Sequence, residues 1–191
     1  MKIHKAGRFK RLHEYNVAVL GAGQAGQTTL VRRLLEKRFV HTRRSKHMAY
    51  SVLELADRNV KLHLFDLCGN RTGTELALNL EVLKNSQYCI IVFSLANLNW
   101  QQIVSNLILQ VRSLNKACLI TLFGNKSDLR SVVDRDAVVA YAQRHRLSKV
   151  LFGSAKTGEN VEELLDQSFI DDYSFARLNL DPRRKPKCAA Q

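Results

Sequence analysis

The feature that most constrains this chain is the stretch from Tyr15 to Thr28. Val17 to Leu20 is an apolar run of strand length. It breaks into a loop holding Gly21, Gly23 and Gly26, and Thr28 to Leu35 then follows with helical spacing. Strand, glycine loop and helix form the geometry of a phosphate cradle. Glycine lets the backbone curl so that successive N–H groups point inward, and the following helix adds the positive end of its dipole. The pattern matches G-x-x-x-x-G-K-[ST] with one departure: Gln27 stands where lysine is expected.

The rest of the chain reads as alternating strands and helices. Tyr50–Leu55 and Val60–Phe65 are strand candidates joined by turn chemistry at Ala56–Asn59, so they predict a hairpin. Helical spacing follows over Glu75–Lys84, over Trp100–Leu114 (through Ile103, Leu107, Val111 and Leu114), over Asp134–Arg144, and over Glu159–Phe169 towards Leu178. Between the helices, Cys89–Phe93, Cys118–Phe123 and Val150–Phe152 are short apolar runs, typical of strands covered on both faces. The order predicts an α/β, doubly wound, mostly parallel six-stranded sheet with one antiparallel edge hairpin. In such sheets ligands lie at the carboxyl ends of the strands. Four informative turns fall there: Gly21–Thr28, Asp66–Asn70, Asn125–Asp128 and Ser154–Lys156.

Composition bounds the partners. With 191 residues, 46% hydrophobic and 25% charged, one domain with a sizeable core is expected. No apolar run approaches the ~20 residues of a membrane span, and the N-terminal residues lack the apolar segment of a secretory signal. The four cysteines, Cys68, Cys89, Cys118 and Cys188, have no paired spacing, which favours a reducing compartment over a disulfide framework. The net charge of +13 concentrates at Lys2–Arg11, Arg32–Lys46 and Arg183–Lys187. Neither of the first two clusters is interleaved with stacking aromatics, and no zinc-finger or RNA-recognition signature occurs, which argues against nucleic acid as the partner. His63, alternating with Leu62 and Leu64, reads as a surface residue rather than a metal ligand.

Taken jointly, the glycine loop, Asp66-x-x-Gly69, Asn125-Lys-Ser-Asp128 and Ser154-Ala-Lys156, in this order and at these strand ends, resemble the Ras superfamily of small GTPases. The segment Ser154–Leu164 is most similar to the Rab branch. The resemblance covers roughly Asn16 to Leu178 and implies a G domain over 15–178, a basic extension over 1–14 and a tail over 179–191.

What the resemblance implies is specific. GTP or GDP with Mg²⁺ would be the ligand, cradled by Gly21, Ala22, Gly23, Gln24, Ala25, Gly26, Gln27, Thr28 and Thr29. Asp128 would accept from guanine N1–H and the exocyclic amine. Asn125 would brace the base and the glycine loop. Lys126 and Lys156 would cover the two faces of the purine, Ser154 would hold Asp128, and the Ala155 N–H would read O6. Adenine lacks Asp128's donor pair, which costs roughly 1.5–3 kcal/mol per charged hydrogen bond. Thr28 and Asp66 would serve Mg²⁺, and Gly69 would sense the γ-phosphate. The family's switch threonine has no clean match: Ser45 fits the spacing from the glycine loop better than Thr42. Gln27 in place of lysine removes a charge-assisted contact of about 2–3 kcal/mol, or about a hundredfold in affinity. Asn70 replaces the glutamine that orients the attacking water and is one methylene shorter, so slow or absent hydrolysis is expected. Arg43, Arg44, Lys46 and Arg71 are candidates to restore the missing charge.

The chain ends in a C-a-a-X pattern at Cys188 with Arg183, Arg184, Lys185 and Lys187 directly upstream. This predicts a prenylated protein at the cytosolic face of a membrane, each basic residue adding roughly 1 kcal/mol on an anionic leaflet. Two functions remain in view. One is a membrane-associated signalling or trafficking switch with effector, exchange-factor and activating-protein partners. The other is a pseudo-GTPase acting as a fixed binding module.

Overall fold

A computed structural model describes residues 12–21, 23–42, 47–67 and 74–166. Six strands form one sheet in the order β2-β3-β1-β4-β5-β6: β1 (His13–Gly21), β2 (Ala49–Leu55), β3 (Val60–Asp66), β4 (Tyr88–Ser94), β5 (Leu119–Asn125) and β6 (Lys149–Phe152). Only β2 runs antiparallel to its neighbour, with Tyr50 opposite Phe65 and Val52 opposite His63. The predicted sheet and its edge hairpin are both present. Ala56–Arg58 turn the hairpin as a short 3₁₀ segment, and Asn59 closes it at φ 56°.

Alternation along β1 builds two cores. Val17 and Val19 face α1 (Gln27–Glu36), where Leu30, Val31 and Leu34 meet Leu62, Leu64, Ile90 and Val92. Ala18 and Leu20 face the opposite side, where Cys89, Ile91 and Phe93 pack under α2 (Thr74–Asn85), α3 (Trp100–Leu114) and α4 (Arg135–Arg144). Successive strand side chains point to opposite faces, so β4, buried along Tyr88–Phe93, serves both cores. Along α3 the buried stripe is Trp100, Val104, Ile108 and Val111; of the stripe read from spacing, Val111 is buried while Ile103, Leu107 and Leu114 are only partly covered. Asp134 caps α4 by accepting from the Asp136 N–H at 2.9 Å.

Cys89 and Cys118 are free, buried thiols. Burial pushes the Cys118 thiol up to about 12, opposed by the Arg112 charge, and raises Cys89 well above its ordinary value.

One element departs from expectation. Glu159–Asp166 is not an α-helix: it holds a 3₁₀ segment, Glu162–Leu165, after which Asp166 is extended. The apolar spacing that suggested a helix still serves the core, since Val161, Leu164 and Leu165 are buried. Two carbonyls of this segment accept from basic side chains distant in sequence. Lys149 Nζ donates to Glu163 O at 2.8 Å and to the Asp166 carboxylate at 2.7 Å, and Arg58 Nη1 donates to Leu165 O. The remainder of that predicted helix, the tail and most of the basic N-terminal extension lie outside the described residues. The sheet starts at His13, so the last residues assigned to the extension belong to β1.

Candidate nucleotide site

The turns at the carboxyl ends of β1, β3, β5 and β6 converge. At the end of β1, Gly26 sits at φ 88° and starts α1, whose first turn receives no side-chain cap. Uncapped N–H groups at a helix start suit an anion. Gly26 also has no room for a side chain, since a Cβ there would lie 2.4 Å from Asn125 Nδ2.

That contact is part of a bridge. Asn125, buried at the end of β5, donates from Nδ2 to Ala25 O at 2.7 Å. Its Oδ1 accepts the Ala155 N–H at 2.9 Å. One amide thus ties the glycine loop to the turn after β6. The expected bracing of the loop by Asn125 is present, and the Ala155 N–H assigned to guanine O6 is bonded to that same amide.

Asp128, the carboxylate the resemblance assigns to guanine, is also braced. Ser154 Oγ donates to Asp128 Oδ1 at 2.6 Å and accepts from the Lys156 and Thr157 N–H groups at 3.1 and 3.2 Å. The Asp128 side chain is only 14% exposed, and Lys156 Nζ lies 3.7 Å from its Oδ2. Lys126 adopts φ 69° between them and Asn125. A contact that spacing does not reveal joins the two turns: Ser127 Oγ donates to Glu159 Oε2 at 2.6 Å. The residues lie 32 positions apart in sequence, so no local pattern marks the pair.

The phosphate end is built differently. The Gln27 side chain turns toward the strand ends. Its amide nitrogen lies 2.7 Å from Val19 O, 2.6 Å from Asp66 Oδ1 and 2.6 Å from Leu67 O. Three acceptors share two hydrogens, leaving no donor for a phosphate. Its Oε1 faces Gly21, 3.0 Å from where a Cβ would stand. Gln27 therefore holds the ends of β1 and β3 together instead of presenting a neutral donor to the loop. Gly23 is open, with nothing within 4 Å of a Cβ there. Gln24 takes φ 66° and Ala25 is buried beneath the loop.

Asp66 is buried at the end of β3. Burial raises its carboxyl above the usual range, against the opposing pull of hydrogen bonds from Thr28 and Gln27 and of the Arg32 charge. A buried carboxylate bonded to a hydroxyl is a hard-oxygen pair of the kind Mg²⁺ takes. With no group of three or more His, Cys, Asp or Glu able to hold a metal among the described residues, nucleotide phosphates would have to complete such a site. Thr29 Oγ1 meets Thr42 Oγ1 at 2.7 Å, so Thr42 reaches the residue beside Thr28. Ala22, Ser45, Gly69, Asn70 and Cys188, together with Arg43, Arg44, Lys46 and Arg71, lie outside the described residues.

A sequence model of the Ras family matches residues 16–171. The chain belongs to the Ras family. Among curated relatives it is similar to the Ras-related protein Rab-21 of cattle, being 28% identical over 163 residues, which is 81% of this chain and 71% of the relative. The human and dog Rab-21 proteins match at 28% identity with 70% of their length covered. Membership in the Ras family accounts for why four loops distant in sequence meet at one sheet edge, and it implies guanine nucleotide, usually with Mg²⁺, as the family's ligand.

Proposed function

We propose that this protein is a guanine-nucleotide-binding switch with impaired hydrolysis, held at a membrane by its tail. The observation that carries the nucleotide reading is the Asn125 bridge together with the Ser154–Asp128 bond. The side chains that would select guanine are held in place by one another, with Asp128 shielded and its second oxygen near Lys156. Adenine would leave this carboxylate facing no donor pair.

Weak phosphate binding and slow hydrolysis are supported by Gln27, whose N–H groups are committed to Val19, Asp66 and Leu67, and by Asn70 in the sequence. Thr28 and Asp66 would hold Mg²⁺, which supplies charge neutralisation at the phosphates when bound. The uncapped start of α1 would orient the phosphates without it.

The experiment is to denature the purified protein and identify released nucleotide by chromatography, then to titrate the empty protein with GTP·Mg²⁺ and ATP·Mg²⁺. Bound GDP or GTP, or binding of GTP in preference to ATP, is expected. An empty protein that takes up neither rejects the reading.

One observation favours the second function, a fixed binding module. Gln27 commits its amide N–H groups to Val19 O, Asp66 and Leu67 O at the paired ends of β1 and β3, so this side chain is satisfied within the protein. Titration that shows no nucleotide binding, with unchanged folding, would select this function. Membrane attachment rests on Cys188 and its four basic neighbours alone. Cys188→Ser should shift the protein to the soluble fraction of cells, and unchanged membrane residence would reject the anchor.

A further inference from the structure

The base-reading turn is held from inside by Asn125, and a second strut reaches it from α1. Arg33, half-buried, donates from Nη2 to Thr157 O at 2.7 Å across 124 residues of sequence. The next residue, Gly158, lies at φ 95°, and a Cβ there would fall 2.1 Å from Arg33 Nη2 and 3.0 Å from its Cζ. The guanidinium therefore lies against the Gly158 backbone in space only glycine leaves open. Thr157 is not a bystander to recognition. Its N–H donates to Ser154 Oγ at 3.2 Å, and that hydroxyl donates to Asp128 Oδ1 at 2.6 Å.

From this geometry we propose that Arg33 is a positioning residue for purine selection. It couples the helix that starts at the phosphate loop to the turn that aims Asp128. The path runs from the Arg33 guanidinium to the Thr157 peptide, to the Ser154 hydroxyl, to the Asp128 carboxylate. A lysine could supply charge but not a planar group fitting Gly158. The inference rests on the nucleotide reading above and assigns it a residue outside the four loop motifs.

The test uses the full chain with two separate variants, Arg33→Met and Gly158→Ala, the double variant, and Lys37→Met as a charge control. Lys37 lies on the same α1 end but pairs with Glu162 at 3.4 Å. Affinities for GTP and for ITP, which lacks the exocyclic amine that Asp128 would bind, are measured by calorimetry. Wild type is expected to prefer GTP. Arg33→Met should reduce that preference roughly tenfold. Gly158→Ala, by displacing the guanidinium, should do the same, and the double variant should lose no more than either single one. Lys37→Met should keep the wild-type ratio.

Hydrogen exchange on the nucleotide-free proteins provides a second readout. The Lys156 and Thr157 amides should exchange faster in Arg33→Met than in wild type. A lowered melting temperature with an unchanged GTP-to-ITP ratio would assign Arg33 to fold stability alone and overturn the proposal. Unchanged exchange at Lys156 and Thr157 would overturn the strut itself, whatever the nucleotide result. Failure of wild type to bind any guanine nucleotide would reject the proposed function, and purine positioning by Arg33 with it.

Discussion

The proposed base end and the proposed phosphate end of this crevice are built on opposite plans. At the base end, side chains brace the turns: Asn125 joins the backbones of two loops, Ser154 steadies Asp128, and Ser127 reaches Glu159. At the phosphate end, the loop offers backbone N–H groups, and its most informative side chain, Gln27, points away into the strand ends. A network of neutral and singly charged partners keeps its shape without a ligand, because each member satisfies another. An anion grip that depends on a mobile cation does not survive the loss of that cation. On the proposed function, selection and affinity should therefore be separable, and the separation can be tested from either end.

The largest expected effect comes from breaking the base end. Asn125→Ala leaves Ala25 O and the Ala155 N–H unpaired in a buried setting, at about 1–3 kcal/mol each. Urea denaturation should show a loss of about 2–6 kcal/mol, and nucleotide titration should show no binding. Retention of wild-type stability would mean that the bridge is not a structural link.

At the phosphate end, Gln27→Lys should move affinity and stability in opposite directions. The ammonium restores a charge-assisted contact, tightening GTP binding by about a hundredfold. The same change removes the amide that spans Val19 O and Leu67 O, so the nucleotide-free protein should melt lower. Equal affinity in both proteins would show that the lost lysine is compensated elsewhere.

Asp66→Asn should have a smaller effect. Burial raises the Asp66 carboxyl above its unfolded value, so its contribution to stability is fully present below the unfolded value of about 3.9 and is lost as pH rises through the raised folded value. At neutral pH the nucleotide-free Asp66→Asn protein should therefore be more stable than wild type. The gain should fade as pH falls through the raised value of the wild-type carboxyl. The reverse pH trend in thermal melts would contradict this account. The smallest change is expected for Ser127→Ala, which loses one exposed hydrogen bond to Glu159, at about 1 kcal/mol or less in stability.

The frame of the fold is legible in the sequence because it is written in local periodicity. The apolar runs of β1, β4 and β5, the alternation of β3 and the glycine loop each state their own geometry. The candidate base-reading residues are legible through resemblance, and the fold joins them by hydrogen bonds from Asn125 to Ala25 and Ala155 and from Ser154 to Asp128. What local reading misses is decided by distant partners. Val161, Leu164 and Leu165 have helical spacing and are buried, yet over the described residues they lie in and beside a 3₁₀ segment, whose Glu163 and Leu165 carbonyls accept from Lys149 and Arg58, distant in sequence. Gln27 is recognisable as a missing charge, but nothing near it predicts that its amide would settle on Asp66 and Leu67, roughly forty residues downstream. Arg33 is one of two basic residues on α1, and only the folded chain sets it against Gly158.

The two core thiols have a practical consequence. Cys118, pushed up to about 12, and Cys89, raised well above its ordinary value by burial, hold almost no thiolate at neutral pH, and thiolate is the form that reacts with alkylating reagents. Gentle maleimide treatment of the folded protein should leave both unlabelled. Any adduct would then map to Cys68 or Cys188, so mass spectrometry of the native chain can follow chemistry at the C-terminal cysteine without first mutating the interior ones.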